Sequence, residues 1–161
     1  MSNQTKVIAE EGKQELFMVR EFDLPVELLF KAYTDPDLLV QWMGNKHSQM
    51  TVEKLENKAH GSWRFVNTDK AGNKYCFNGV IHDFHAPQRI IRTFEIENVN
   101  GTGNVQLEFL TFEALSDSTS KLTVQTLYRS NQDRDTMIKY GMEKGANMVH
   151  NKLQEVMNNL K

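Results

Sequence analysis

Little in this chain points to secretion, to a membrane or to nucleic acid. Cysteine is almost missing: Cys76 stands alone, so no internal disulfide can form, which fits a reducing cytosol. No apolar run approaches the roughly 18 residues needed to span a bilayer. The first residues lack the charged-then-apolar layout of a signal peptide. A net charge of −2 with interspersed signs argues against the basic surface that nucleic acid or an acidic membrane demands. Proline is scarce as well, with three in the whole chain and none within residues 132–161. The expectation is one cytoplasmic domain over residues 1–161, whose 39% hydrophobic content suffices for a substantial core.

What the proline-free end contains is a one-faced helix. Ile138, Met142, Gly145, Ala146, Val149, Leu153, Val156 and Leu160 recur at spacings of three and four. At 3.6 residues per turn they make one stripe. Tyr140, Glu143, Lys144, Asn147, Asn151 and Glu155 take the other side. Asp133 and Asp135 place acid where a helix N-terminus favours it. A single helix over residues 132–161 would run roughly 40 Å at 1.5 Å per residue. Gly141 and Gly145 sit inside it, each costing about 1 kcal/mol relative to alanine. They mark either a kink or a place where something else needs room. With Met142 and Ala146 beside them, the first half is small and pliable; residues 149–160 read as core.

Upstream, residues 1–14 are a polar extension in which Val7, Ile8 and Ala9 suit a short extra edge strand. Residues 15–22 read as the first long strand, apolar on both faces apart from Arg20. Two short helices follow. The first begins at Pro25 and buries Val26, Leu29, Phe30 and Tyr33. The second takes Asp35 as N-cap and Pro36 as its first residue, and ends at Trp42, Met43 and Gly44. The period then changes to two, giving strands over 50–55, 62–66, 74–84, 89–97, 104–113 and 121–128. Residues 69–73 and 98–103 read as hairpin turns, and Pro87 interrupts the strands around it. Connections this short favour antiparallel neighbours. The expected class is α+β, an antiparallel sheet curled around the terminal helix.

No catalytic constellation stands out. His82 and His85 point to opposite faces of a strand, and His47 and His60 lie in loops without ligand-like spacing. Cys76 alternates with Tyr75 and Phe77 as an ordinary strand residue. Glycine-rich phosphate loops and nucleophile elbows are missing. The aromatics are the stronger signal: Trp63 and Phe65 share a strand face, and Trp42 closes a helix at a loop. With Met43 and Met142 they suit the lining of an apolar pocket. A lined pocket and a filled core look alike at this level.

Short motifs in a specific order then carry a resemblance. They are Arg20-Glu21-Phe22-Asp23-Leu24-Pro25, Tyr33-Thr34-Asp35-Pro36, Gln41-Trp42-Met43-Gly44, Gly61-Ser62-Trp63-Arg64-Phe65, Phe77-Asn78-Gly79-Val80 and Ala86-Pro87-Gln88-Arg89-Ile90. Asp133-Arg134-Asp135 with Gly141-Met142-Glu143-Lys144-Gly145 completes the set. The chain resembles the SRPBCC (START-like, or Bet v-type) superfamily. More narrowly, it is similar to bacterial single-domain relatives of the C-terminal domain of the heat-shock chaperone ATPase activator. The resemblance implies a helix-grip fold: a curved seven-stranded antiparallel sheet around a long C-terminal helix, two short helices between strands 1 and 2, and a cavity. Relatives often have a second Trp, a Pro and a helix aromatic where this chain has Met43, Asn45 and Ala146, which implies a larger or differently shaped pocket.

The leading expectation is a binding protein, without cofactor or metal, for a small apolar or aromatic molecule. Trp42, Met43, Trp63, Phe65, Phe77, Met142 and Ala146 are the expected pocket, with Arg20, Asn78 and Glu108 as polar candidates. A cyclase- or hydrolase-type enzyme using one acid or His82 for proton transfer is the second expectation. A chaperone-interaction module ranks third, since the activator's separate N-terminal domain has no counterpart in these residues. The histidine spacing yields a direct test: chelator should leave the melting temperature unchanged, and one equivalent of tightly held zinc would contradict the expectation.

Overall fold

Residues 3–44, 47–98 and 102–161 are described by the computed structural model. The two-residue period produces eight strands: β1 (Lys6–Ile8), β2 (Glu15–Phe22), β3 (Ser48–Leu55), β4 (Ser62–Asp69), β5 (Lys74–His85), β6 (Arg89–Ile96), β7 (Val105–Ala114) and β8 (Ser120–Leu127). They form one sheet in the order β1-β2-β8-β7-β6-β5-β4-β3, every neighbouring pair antiparallel. The resemblance implied seven strands; β1, paired with β2 through Lys6, Val7 and Ile8, adds the eighth. The turn expected at 98–103 falls partly on residues 99–101, outside the described residues.

Helices α1 (Val26–Thr34) and α2 (Pro36–Trp42) lie between β2 and β3. The Asp35 carboxylate accepts the N–H of Asp37 at 2.9 Å, capping α2 as its sequence requires. Trp42 locks the two helices together. Its Nε1 donates to the Ala32 carbonyl at 2.9 Å, and its ring lies 4.9 Å from Tyr33.

The expected single C-terminal helix is two helices. α3 (Asn131–Lys139) begins at Ser130, whose hydroxyl accepts the Asp133 N–H at 3.1 Å. α4 (Met142–Met157) begins after Gly141, whose φ of +82° is left-handed. Glycine takes that conformation without the side-chain clash other residues meet. The break resets the helical phase. The buried face of α4 is Ala146, His150, Leu153 and Met157, whereas Gly145 and Leu160 of the expected stripe are exposed.

Leu153 and Met157 are fully buried and join Phe22, Leu29, Leu39, Leu110, Phe112 and Leu122 in one core. Ala146, one turn and more upstream, is buried yet stands outside that core cluster. Both sheet edges are protected. Asn147 of α4 accepts the Thr5 N–H at 2.7 Å and donates to its carbonyl at 2.9 Å, while Glu143 accepts the Val7 N–H at 2.8 Å. At the other edge a bulge between Val52 and Lys54 interrupts β3.

Gly141 and Gly145 should respond to alanine with opposite signs. At φ +82°, Gly141→Ala should cost about 1–2 kcal/mol. At Gly145, helical and with nothing within 4 Å of an added Cβ, alanine should stabilise by about 0.5–1 kcal/mol. Urea melts of the two variants measure both; stabilisation by both would mean one continuous helix.

Candidate functional site

Antiparallel pairing carries one face across the strands, and this sheet's helix-side face divides in two. Ile90, Leu110, Phe112, Leu122 and Phe22 are sealed beneath the C-terminal half of α4 and beneath α1. Toward the other end, Met18, Phe77, Arg92, Phe94, Gln106 and Glu108 share that face yet keep accessible surface. Of these, Met18, Phe77 and Phe94 pack against the margin of the core, as does Val149 of α4.

In that region Arg92 of β6 stands directly opposite Glu108 of β7. Arg92 Nε donates to Glu108 Oε1 at 2.9 Å, and each side chain is 12% exposed. The guanidinium also lies 5.0 Å over the ring of Trp63. Trp63 is 4.8 Å from Phe65 and 5.4 Å from Phe94, with Phe77 5.7 Å from Phe94, so a wall of four rings adjoins the ion pair. Gly79 makes this possible: a Cβ there would fall 2.6 Å from Trp63 Nε1 and 1.9 Å from the Thr93 carbonyl oxygen. Trp63 Nε1, Asn67 Oδ1 and the Tyr128 hydroxyl are buried on the same face without a hydrogen-bond partner. Burial pushes the Tyr33 and Tyr128 hydroxyls above the ordinary phenol range; Glu108 raises both further, against the pull of Arg92 on Tyr33 and Arg134 on Tyr128.

Hollows open onto the molecule's surface in several places, one of about 400 Å³ on the outer side of the sheet beside Arg64, Asn78, Glu95 and Glu97. Another of about 760 Å³ runs between α4 and the end of α2, bordered by Trp42, Met43, Ser48, Gly145 and Val149. A third of about 240 Å³ lies under α3, bordered by Gln106, Tyr128 and Met137.

The expected pocket residues therefore separate. Trp63, Phe65 and Phe77 line the aromatic wall. Trp42 and Met43 border the large groove, and Met142 and Ala146 lie on α4 above. Of the polar candidates, Glu108 faces the interior. Asn78 does not: adjacent strand residues alternate, so beside inward Phe77 it points outward and donates to Glu95 and Glu97. Arg20 is buried, but as a brace. It donates to Asn151 Oδ1 at 2.9 Å and lies over Phe22. His82, the proton-transfer candidate, is exposed at a bulge in β5. Asn45 lies outside the described residues. Among the described residues no group of three or more His, Cys, Asp or Glu is placed to hold a metal, and no helix is long and apolar enough to cross a membrane.

Sequence reasoning missed Arg92, Tyr128 and His150. Arg92 reads as a surface charge until β6 is phased by its buried neighbour Ile90. His150 had a visible signal, four residues after Ala146 and three before Leu153. Its Nδ1 is 2.6 Å from Thr5 Oγ1 and its Nε2 3.2 Å from the Tyr33 hydroxyl. It ties the N-terminal segment, α4 and α1 together.

A sheet gripping a C-terminal helix, with α1 and α2 between its first long strands, is the helix-grip arrangement of START-like proteins. The chain belongs to the family of the activator of Hsp90 ATPase homolog 1-like protein, whose model matches residues 23–158. Its fold is shared by a protein from Rhodobacter sphaeroides (TM-score 0.88, 20% identity, 97% of this chain and 99% of that one covered). One from Arthrobacter aurescens is similar at TM-score 0.83 and 20% identity, covering 96% and 91%. One from Mycobacterium smegmatis has TM-score 0.81 and 21% identity, covering 95% and 96%. No curated protein matches the chain.

Burial, and then the Arg20 charge, pull His150 down to about 3. Folded His150 stays neutral while the unfolded chain takes up a proton below about 6.5, so its stabilising contribution is full above that pH and drains away toward 3. Glu56, Asp69 and Glu97, held low by bonds from Ser62, Asn73 and Arg64, lose their contributions only at lower pH. Between about pH 7.5 and about pH 5 the protein should lose about 2 kcal/mol through this group. Denaturant melts of His150→Gln should show that slope removed, even if the variant is less stable throughout.

Proposed function

We propose that this protein binds a small hydrophobic or aromatic molecule between α4 and the inner face of the sheet. One observation carries the reading: a charged pair, Arg92–Glu108, sits on the covered face with a single hydrogen bond and residual accessible surface. Desolvating two ions is costly, and well-packed apolar residues in their place are often neutral or stabilising. A wall built only for stability has no use for the pair. A wall that orients a ligand does, because apolar pockets take specificity from a few placed polar groups. Beside the pair, Phe77 and Phe94 supply partly accessible apolar surface, backed by the fully buried rings of Trp63 and Phe65. Membership of a family that commonly binds hydrophobic ligands supports the same reading.

The test is a thermal-shift and tryptophan-fluorescence screen of fatty acids, flavonoids and polycyclic aromatics. A ligand at a hundred times its Kd should add about 2.7 kcal/mol of stability, and Trp63 should report its arrival. Ala146→Trp then locates the site. The indole should fill open space and abolish uptake, with stability within ~1 kcal/mol of the parent; overpacking a filled core typically costs 1–3 kcal/mol. Destabilisation with uptake intact would remove the ligand from this half of α4.

A further inference from the structure

Resting on that reading, we propose that the ligand is an uncharged planar aromatic whose polar edge carries a hydrogen-bond donor beside an acceptor, and that Arg92 and Glu108 select it. The pair is electrically balanced. Arg92 Nε and Glu108 Oε1 satisfy one another at 2.9 Å. Among the described residues, the two terminal guanidinium nitrogens and the second carboxylate oxygen make no hydrogen bond. The pair thus presents unused donors next to an unused acceptor. Register fixes their spacing, since the two residues face each other across β6 and β7 rather than reaching from loops.

The surroundings point the same way. Arg92 stacks on Trp63, which extends the aromatic wall to the edge of the ion pair. Unmet hydrogen-bonding groups concentrate on this face, with Trp63, Asn67 and Tyr128 each holding a buried polar atom without a partner. Such groups are uncommon in native proteins and call for a bound molecule or water. Charge then narrows the class. An anionic ligand would set a second carboxylate beside Glu108, and a cationic one would set its charge beside Arg92; either leaves a desolvated charge unbalanced. A neutral group with adjacent donor and acceptor, such as a carboxamide, answers both partners at once and leaves the ion pair intact.

Three probes of one shape separate the possibilities: naphthamide, naphthoate and methylnaphthalene, titrated by calorimetry with tryptophan fluorescence alongside. The parent protein should bind naphthamide at least tenfold more tightly than either of the others. Glu108→Gln leaves the cation unbalanced, so naphthoate should gain at least tenfold and overtake naphthamide. The double variant Arg92→Met/Glu108→Leu, whose apolar side chains keep the site filled should the single variant not fold, should retain methylnaphthalene and lose the amide preference. Equal binding of all three by the parent, or an amide preference surviving the double variant, overturns selection by this pair and leaves the carrier reading standing. No binding of any probe to the parent or to either variant overturns both.

Discussion

One helix has to cover a sheet much wider than itself. Eight strands spaced about 4.8 Å apart span more than 30 Å, whereas a helix with its side chains is about 10–12 Å across. Leu153 and Met157 press the C-terminal half of α4 into the core formed with Phe22, Leu110 and Leu122. Of the N-terminal half, Val149 packs against that core, Ala146 is buried outside it, Met142 is half-buried and Gly145 is exposed. The molecule closes one flank by binding the backbone of Thr5 and Val7 to Asn147 and Glu143. On the opposite flank, beside α2 and β3, the groove of about 760 Å³ stays open.

That uneven cover sets the chemistry of the interior. Where packing is complete, the inner face is mainly aliphatic and aromatic. Where it keeps accessible surface, the same face carries Arg92, Gln106 and Glu108 on adjacent strands. His150 stands at the boundary, neutral and shared between Thr5 and Tyr33. It lets a polar group sit in the core side of α4 because both ring nitrogens have partners, and it joins three segments that are far apart in sequence.

The strands were legible because alternation and turn residues are local. The element order held from Glu15 to Leu127, with ends displaced by up to three residues, the largest at β4, which runs on to Asp69. The helix break at Gly141 was ambiguous from sequence, since glycine in a helix and glycine at φ +82° look the same until the backbone is placed. At the site, the two-residue spacing of Trp63 and Phe65 puts them on one strand face, and the pairing of Phe65 with Phe77 across β4 and β5 extends that surface. Alternation on β5 turns Phe77 to the helix side of the sheet and Asn78 outward to Glu95 and Glu97, a phase that the sequence alone leaves open. Arg92 was passed over because a charged residue in a strand is usually solvated.

The chain's own pattern determined the element types, the antiparallel connections and the small character of the first half of the terminal helix, since each depends on residues within a turn or a hairpin of one another. The tertiary structure decided which strand face turns inward, that Arg92 meets Glu108 on it, and that Thr5, Tyr33 and His150 come together. Those outcomes depend on register between strands and on where α4 comes to rest. Contacts over more than a hundred residues leave no local trace, because the chemistry of each partner alone is compatible with solvent.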